Sequence, residues 1–311
     1  MTRCVVAAAA LVALLASTAA ASSGAAVGEL HVLVIRATWG PTPGSDDALL
    51  TELGHASTFF ARSSYGKAAV TFEVTAWLRA YADARVCPST EDEEDERRSA
   101  LGPISTLARA AARDAGYDVG AYGRVVFLLP EQVCGLPGLG VRGEVLLSNP
   151  ESTSWLGVVH ELGHTLGLGH ATSSRCAPGC PVAEYGDDLS PMGRGFVDFS
   201  AWEKSRLGWL AGATVARRSG RYTIARIDAP SAQPQALVVR TRRGDFWVEH
   251  RLVPNRIVVR YVQARTPAGG AARSILVPHA PRSFAVSGLV TIRRVAVRGD
   301  AAVIDVRFAR R

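Results

Sequence analysis

The chain has 311 residues, 48% of them hydrophobic, and 35 basic against 28 acidic residues give a formal net charge of +7. Beyond residue 21, no stretch is long and apolar enough to span a membrane, and no basic motif interleaved with aromatic residues indicates specific nucleic-acid binding. The length predicts one large or two ordinary domains with an ample hydrophobic core.

The first 21 residues have the pattern of an export signal. A short basic segment, Met1-Thr2-Arg3, precedes an apolar run from Val5 to Ala16, and Ala19-Ala20-Ala21 matches a small-residue cleavage site. We predict cleavage after Ala21 and a secreted, extracellular protein. An uncleaved membrane anchor is the weaker alternative because the apolar run is short and rich in alanine.

Four cysteines remain after Cys4 is removed with the signal: Cys87, Cys134, Cys176 and Cys180. An even number in an exported chain predicts two disulfides, with three possible pairings. We favour a small clip between Cys176 and Cys180 and a longer link between Cys87 and Cys134. A second metal site at Cys176 and Cys180 is the alternative, which an oxidising compartment disfavours.

The region up to residue 148 predicts alternating strands and helices, and therefore an α/β fold. Strands are predicted at 29–37, 69–78, 124–129 and 143–148, and helices at 46–62 and 104–115. The first helix places four apolar residues at core-like spacing: Leu49, Leu50, Leu53 and Phe60. The acidic run at 91–96, with Thr90 and Glu93 as a capping box, predicts a solvated helix start rather than a calcium site.

The central motif is His160-Glu161-Leu162-Gly163-His164-Thr165-Leu166-Gly167-Leu168-Gly169-His170. His160 and His164 share one helix face, so both imidazoles reach one metal at about 2.0–2.1 Å. Gly167 permits a positive φ and a sharp turn that returns His170 as a third ligand. Three protein ligands leave a place for water, which Glu161 can deprotonate, as in a catalytic zinc site.

A chance arrangement of solvated histidines on an amphipathic helix is the weaker interpretation, since three of only seven histidines fall on ligand positions. Either Ser152 or Ser154 is expected to cap this zinc helix. The run Ser190-Pro191-Met192-Gly193 carries the one methionine besides Met1. It predicts a tight turn with Met192 as a structural floor beneath the metal.

Further runs surround the histidines. Glu184-Tyr185-Gly186-Asp187, Pro191-Met192-Gly193 and the segment Lys204-Ser205-Arg206-Leu207-Gly208-Trp209-Leu210 follow them, while Ser64-Tyr65-Gly66-Lys67 and Cys134-Gly135-Leu136-Pro137-Gly138-Leu139-Gly140 precede them. Together with the extended histidine motif, they resemble the gametolysin (autolysin-type) family of metzincin zinc metallopeptidases over residues 29–210. A looser likeness lies at residues 247–251.

The resemblance implies a metzincin-like catalytic domain, with a twisted mixed sheet and a zinc helix. One Zn²⁺ would be held by the three histidines, with Glu161 as general base. It also implies that the strand at 143–148 is an antiparallel edge strand that pairs with an extended peptide substrate. Astacin-like and serralysin-like relatives have a tyrosine ligand two residues after the methionine, where this chain has Arg194, so no such ligand is expected.

The acidic run Glu184-Tyr185-Gly186-Asp187 is expected to shape its loop through hydrogen bonds. Bound Ca²⁺ is an alternative there, which the sequence leaves open and does not itself support. Family members are associated with wall glycoproteins, so a protein or peptide of the cell wall is the implied class of substrate.

The remainder, residues 211–311, predicts an all-β, sandwich-like domain. Strands are predicted at 221–224, 236–239, 246–249, 256–261, 274–277, 289–297 and 301–308. Two Arg-Gly-Asp runs, at 243–245 and 298–300, lie between strands, where turn chemistry is favoured over adhesion.

Charge separates the two parts. Residues 211–311 hold 19 arginines and 5 acidic residues, a net +14, whereas residues 22–210 have a net charge of −8. The basic part predicts contact with anionic wall polymers, with solubility and protection of strand edges as an equal alternative.

We therefore predict a signal peptide at 1–21, a metzincin-like peptidase domain at 22–210 and a basic β-rich domain at 211–311. The predicted function is that of a secreted zinc-dependent endopeptidase. The alternative is a secreted binding or adhesion protein with a non-catalytic zinc domain, whose basic domain docks on cell-wall polymers.

Overall fold

The computed structural model describes residues 26–41, 47–80, 93–130, 138–141, 143–148, 153–176, 179–252, 255–263, 273–277 and 282–309. The predicted signal peptide, Thr90, Ser152 and the predicted Cys87–Cys134 disulfide lie outside the described residues. No helix in the described ranges is both long and apolar enough to cross a membrane.

Residues 26–210 contain a mixed sheet flanked by helices. The elements are β1 (Gly28–Thr38), α1 (Asp47–Ser63), β2 (Ala68–Val74), β3 (Leu78–Arg79), α2 (Glu93–Asp114), a 3₁₀ turn (Val119–Ala121), β4 (Arg124–Leu128), β5 (Gly138–Val141), β6 (Glu144–Leu147), α3 (Trp155–Thr165), β7 (Thr172–Ser173) and α4 (Ala201–Arg206). The sheet order is β2-β1-β4-β6-β5, with β3 beside the end of β1. The predicted α/β character of this region is confirmed.

Strand β1 lies between two hydrophobic clusters, one on each face of the sheet. Val32 and Val34 pack with α1 and α3 on one face of the sheet, whereas Leu33 and Ile35 pack with α2 on the other. A strand covered on both faces needs apolar residues at successive positions, which explains the continuous apolar run in β1. The face that carries α1 and α3 also contains the histidine motif.

The prediction for α1 is wrong at one position. Leu49, Leu53 and Phe60 are buried, but Leu50 is 55% exposed. The buried residues form a stripe on one side of the helix, and Leu50, one step round from Leu49, lies outside it.

Two further predicted elements differ from the structure, one strand that is divided and one helix that is longer. The strand expected at 69–78 is two strands, β2 and β3, separated where Thr75 binds the backbone nitrogen of Arg36 through its hydroxyl. Residues 93–96 of the acidic run and the helix predicted at 104–115 belong to one helix, α2, which continues through Pro103.

The assignment of residues 143–148 as an antiparallel edge strand is wrong. Strand β6 (Glu144–Leu147) runs parallel to β4, and the antiparallel edge strand is β5. Its glycines, Gly138 and Gly140, gave a weak strand signal because glycine has low β-propensity. Both glycines pack against Glu161 of α3, and a Cβ atom at either would overlap it.

The C-terminal part contains two sheets that share one core. Its strands are β8 (Ala213–Ala216), β9 (Gly220–Ala225), β10 (Ala236–Thr241), β11 (Gly244–Arg251), β12 (Arg256–Gln263), β13 (Arg273–Leu276), β14 (Ser283–Val286), β15 (Val290–Arg298) and β16 (Ala301–Phe308). The sheet orders are β7-β13-β12-β11-β10-β8 and β14-β15-β16-β9. Phe246 and Val259 of the first sheet pack with Ile292 and Ile304 of the second, so the predicted sandwich-like arrangement is present.

Sequence patterns missed β8 and β14, which are short, and β7, which joins the six-stranded sheet from the other side of the predicted domain boundary. The boundary near residue 210 stays a prediction. Both Arg-Gly-Asp runs lie at hairpins, between β10 and β11 and between β15 and β16, as the turn interpretation predicted.

A buried ion pair lies where two of the family-like runs meet, the run at 64–67 and the run at 204–210. The Lys204 ammonium group donates to Asp198 at 2.6 Å and to the Tyr65 hydroxyl at 3.1 Å. It also lies 4.3 Å from the centre of the Tyr65 ring. Burial lowers the pKa of Lys204, but the adjacent Asp198 carboxylate opposes that shift and favours the charged form.

We predict that Lys204→Met destabilises the protein by about 3–5 kcal/mol, because it leaves the Asp198 carboxylate without its buried cation. The matched control is Arg240→Met, which breaks the more exposed pair with Asp245 and is expected to cost about 0–1 kcal/mol. Urea unfolding of both variants measures the difference, and equal costs would contradict the structural role given to Lys204.

Candidate metal centre

Helix α3 begins with a defined cap. The Ser154 hydroxyl oxygen accepts from the Gly157 backbone nitrogen at 3.3 Å, and the Trp155 nitrogen donates to the Glu52 carboxylate at 2.6 Å. Of the two capping serines predicted, Ser154 therefore caps the helix. Its buried face carries Val158, Val159 and Leu162, which fix α3 against the sheet and α1.

The helix ends where the motif predicts. Leu166 is the C-cap residue, and Gly167 has a φ of 86°, the left-handed conformation that glycine adopts without a steric penalty. The Leu168 nitrogen then bonds the Gly163 carbonyl at 3.1 Å and closes the turn. The chain reverses there and returns His170 to the helix.

The three histidines converge on one point. One ligand atom from each of His160, His164 and His170 lies within 4.8 Å of the others. The Nε2 atoms of His160 and His164 are 3.1 Å apart. Two nitrogens bound tetrahedrally to one zinc ion are separated by about 3.3–3.4 Å, so this spacing fits a shared metal ion.

The Nδ1 atom of each ring is hydrogen-bonded to an oxygen that can only accept. The pairs are His160 with the Pro191 carbonyl (2.7 Å), His164 with the Leu168 carbonyl (2.9 Å) and His170 with the Glu184 carboxylate (2.7 Å). Each neutral ring must therefore carry its proton on Nδ1, which leaves the Nε2 lone pair for a metal. Partners of this kind fix the tautomer and orientation of metal-binding histidines.

Burial favours the neutral form of the two helix histidines. It lowers the pKa of His160 to about 3, with a further contribution from His164. It lowers the pKa of His164 to about 4, although the bond to the Leu168 carbonyl opposes the shift. Both rings are therefore neutral near pH 7, which is the state that binds a metal.

Met192 lies directly beneath α3. It is fully buried, and a Cβ atom at Gly163 would overlap its sulfur, so the glycine of the histidine motif allows this close approach. The turn is closed by the Gly193 nitrogen, which donates to the Ser190 carbonyl at 3.0 Å. The Met192 carbonyl accepts from the Ala171 nitrogen at 2.8 Å, so the turn also holds the residue after His170.

Glu161 lies on α3 next to His160, and it is half-buried. The edge strand β5 crosses it closely enough that both Gly138 and Gly140 face this residue without room for a side chain. The structure therefore brings together the metal-ligand group, the predicted base and an antiparallel strand edge.

The acidic loop contributes more than sequence analysis assigned to it. Glu184 binds His170, and Tyr185 packs on the same ring with 4.0 Å between the ring centres. Tyr185 is 40% exposed and has a φ of 54°, which is rare for a bulky residue and is typical of functional sites. The run of four residues was the available signal, but its spacing did not show which residue faces His170.

The predicted disulfide between Cys176 and Cys180 is present in the loop after His170. The Ser174 hydroxyl lies within hydrogen-bonding distance of two carbonyl acceptors, that of Cys176 at 2.8 Å and that of Pro181 at 2.9 Å. The disulfide and these bonds hold residues 174–176 and 180–181 together.

A family model described as Gametolysin peptidase M11 matches residues 48–239, which is more than half of the chain. The chain belongs to the gametolysin peptidase family. The family resemblance drawn from the motifs is thereby confirmed, and the match extends beyond residue 210 into β10. The histidine triad of this gametolysin-family chain is the group expected of a metallopeptidase.

The chain is also similar to a solved structure titled "Structure of a chaperone-substrate complex", with 13% identity and a TM-score of 0.33. The match covers 56% of this chain and 32% of that chain, so it spans well under half of that protein. No curated protein matches the chain.

We predict that Glu184→Ala weakens metal binding by about tenfold, near the lower end of effects seen when a partner of a ligand is removed. The Glu184 side chain is 62% exposed, and water can partly replace it at His170. Competition with a chelator gives the dissociation constant, with Zn²⁺ as the probe. Glu184→Gln retains an acceptor for His170, so its Zn²⁺ dissociation constant should lie between those of wild type and Glu184→Ala. A wild-type dissociation constant in Glu184→Ala would contradict the role assigned to Glu184.

Proposed function

We propose that this member of the gametolysin family is a secreted, zinc-dependent endopeptidase with a metzincin-type site. The observation that carries the proposal is the convergence of the three imidazole rings, each of which bonds an oxygen acceptor through Nδ1 and so keeps its Nε2 lone pair for a metal. Three neutral nitrogen donors fit Zn²⁺, and a set of three is typical of catalytic rather than structural zinc sites. His160, His164 and His170 would hold the ion.

Bound zinc would supply Lewis-acid polarisation of the scissile carbonyl and lower the pKa of a water molecule toward about 7. Glu161, one residue from His160, accepts the proton of the attacking water and returns it to the leaving amine. Met192 supports the helix from below and takes no part in the chemistry.

Strand β5 is the element proposed to bind substrate. It is the antiparallel edge of the sheet and packs against Glu161, so its outward backbone groups are suited to pair with an extended peptide. A protein or peptide substrate follows from the family, and cell-wall glycoproteins or peptides are the proposed class. Secretion is supported by the signal-like pattern of residues 1–21.

The basic sandwich supports a second contact, with anionic wall polymers. Arg221 and Arg293 lie in register on either side of Asp305, and Arg307 lies next to it, all three arginines being exposed. Asp305 offsets only part of their charge. A face with this net charge attracts polyanions and would keep the peptidase near the wall.

The test of the peptidase assignment is cleavage of unfolded casein and of cell-wall peptides by wild type and by Glu161→Gln. We predict that the variant loses about 10²–10⁴-fold in rate, the range for a general acid–base group, while it retains one zinc per chain. Glu29→Gln is the control, since Glu29 is exposed on β1 and pairs with His31.

Zinc content by elemental analysis separates the outcomes. Loss of both zinc and activity in Glu161→Gln would mean that Glu161 is needed for the metal and not as a base. If wild type binds zinc but cleaves neither substrate, the peptidase proposal is wrong. Salt-sensitive binding of the basic sandwich to wall polymers would then favour a binding protein with a non-catalytic zinc domain.

A further inference from the structure

Residues 172–174, which follow His170 closely, are paired with the six-stranded sheet of the C-terminal part. Strand β7, two residues after His170, pairs in parallel with β13 through Thr172 and Ile275. The Ser174 nitrogen continues this pairing and donates to the Leu276 carbonyl at 3.0 Å. The third histidine is therefore linked by one residue, Ala171, to a sheet whose other strands come from residues 213–276.

A buried ion pair makes a second attachment. Arg260 of β12 binds Asp187 through Nε at 2.8 Å and through Nη2 at 3.2 Å, and both side chains are almost fully buried. Arg260 also contacts Glu249 of β11, which itself binds Arg251 at 2.7 Å. Burial alone would raise the pKa of Glu249, but the two arginines outweigh it and lower the pKa to about 2.

Asp187, which is held by Arg260, also binds the turn that carries Met192. Its carboxylate accepts from the backbone nitrogens of Leu189 at 2.9 Å and Ser190 at 3.2 Å. The next residue is Pro191, whose carbonyl accepts from Nδ1 of His160 at 2.7 Å. A continuous path of short contacts thus leads from Arg260 through Asp187 to the first histidine.

The two faces of β12 have different neighbours. Ile257 and Val259 point into the core between the two C-terminal sheets. Val258 points the other way and packs with Leu189, on the same side as Arg260. One face of the sheet at β12 therefore packs in the core between the two C-terminal sheets, and the opposite face packs against residues close to the histidines.

We propose that Arg260 is a positioning residue of the metal centre and that the six-stranded sheet is part of its scaffold. Arg260 fixes the Asp187 carboxylate, which fixes the turn whose Pro191 carbonyl orients His160. The proposal rests on the metal-binding role proposed above. A residue that lies outside the histidine motif, in the basic C-terminal part, would then set the affinity of the site.

The test compares Arg260→Met, Arg260→Lys and Val259→Ala. Val259→Ala is the matched control, because it truncates a buried side chain on the same strand but on the sandwich face. Chelator competition measures the Zn²⁺ dissociation constant of the full chain, and circular dichroism measures the midpoint of thermal unfolding.

We expect Arg260→Met to raise the Zn²⁺ dissociation constant about 10–100-fold, the range for loss of a group that orients a ligand. Arg260→Lys should give an intermediate value, since one ammonium group cannot reproduce the forked contact with two carboxylates. Val259→Ala should lower the unfolding midpoint with little change in the constant.

A Zn²⁺ dissociation constant equal to that of wild type in both Arg260→Lys and folded Arg260→Met would overturn the proposal. A loss of Zn²⁺ affinity in Val259→Ala as large as that in the Arg260 variants would also overturn it. If Arg260→Met does not fold, the comparison of Arg260→Lys with Val259→Ala decides. If wild type itself binds no zinc, the proposed function fails first, and that outcome is distinct from failure of the role given to Arg260.

Discussion

A shared metal site requires each of three imidazoles to direct an unprotonated ring nitrogen at one point. The surrounding structure supplies the hydrogen-bond acceptors that keep the proton on Nδ1 and leave Nε2 unprotonated. The Pro191 carbonyl, the Leu168 carbonyl and the Glu184 carboxylate each hold one Nδ1 proton. These acceptors come from the turn of Met192, the end of α3 and the acidic loop. Three separate segments must therefore be placed correctly before the donor set exists.

The placement depends on charges buried between the two parts of the chain. Asp187, Glu249 and Arg260 have almost no exposed side-chain surface, and Arg260 contacts both carboxylates. Removing one partner of such a group leaves an uncompensated charge, which costs more than the intact pair contributes. This arrangement specifies one position for the loop around Asp187 rather than adding a large net stability.

The grouping of the three histidines was predictable because their motif is local in sequence. His160 and His164 share a helix face by their spacing, and Gly167 marks the turn that returns His170. Met192 was predictable for a different reason, since the chain has only one methionine besides Met1. The apolar run of β1 and the pattern of α1 gave the first sheet and its covering helix, with Leu50 as the error.

Contacts between distant residues were not predictable. Gly138 and Gly140 lie in the edge strand through their pairing with β6, although glycine itself favours a loop over a strand. The pairing of β7 with β13 and the contact of Arg260 with Asp187 join positions about a hundred and about seventy residues apart, and no periodic pattern records such pairs. Glu184 lay in a recognised run, but only the folded loop shows that it faces His170.

The most direct measurement is a crystal structure of the purified protein with zinc, with anomalous diffraction collected at the zinc absorption edge. We expect one strong anomalous peak at about 2.0–2.1 Å from Nε2 of His160, His164 and His170, with each Nδ1 still bonded to its oxygen acceptor. A peak bound through Nδ1, or a principal zinc site away from these histidines, would contradict this expectation.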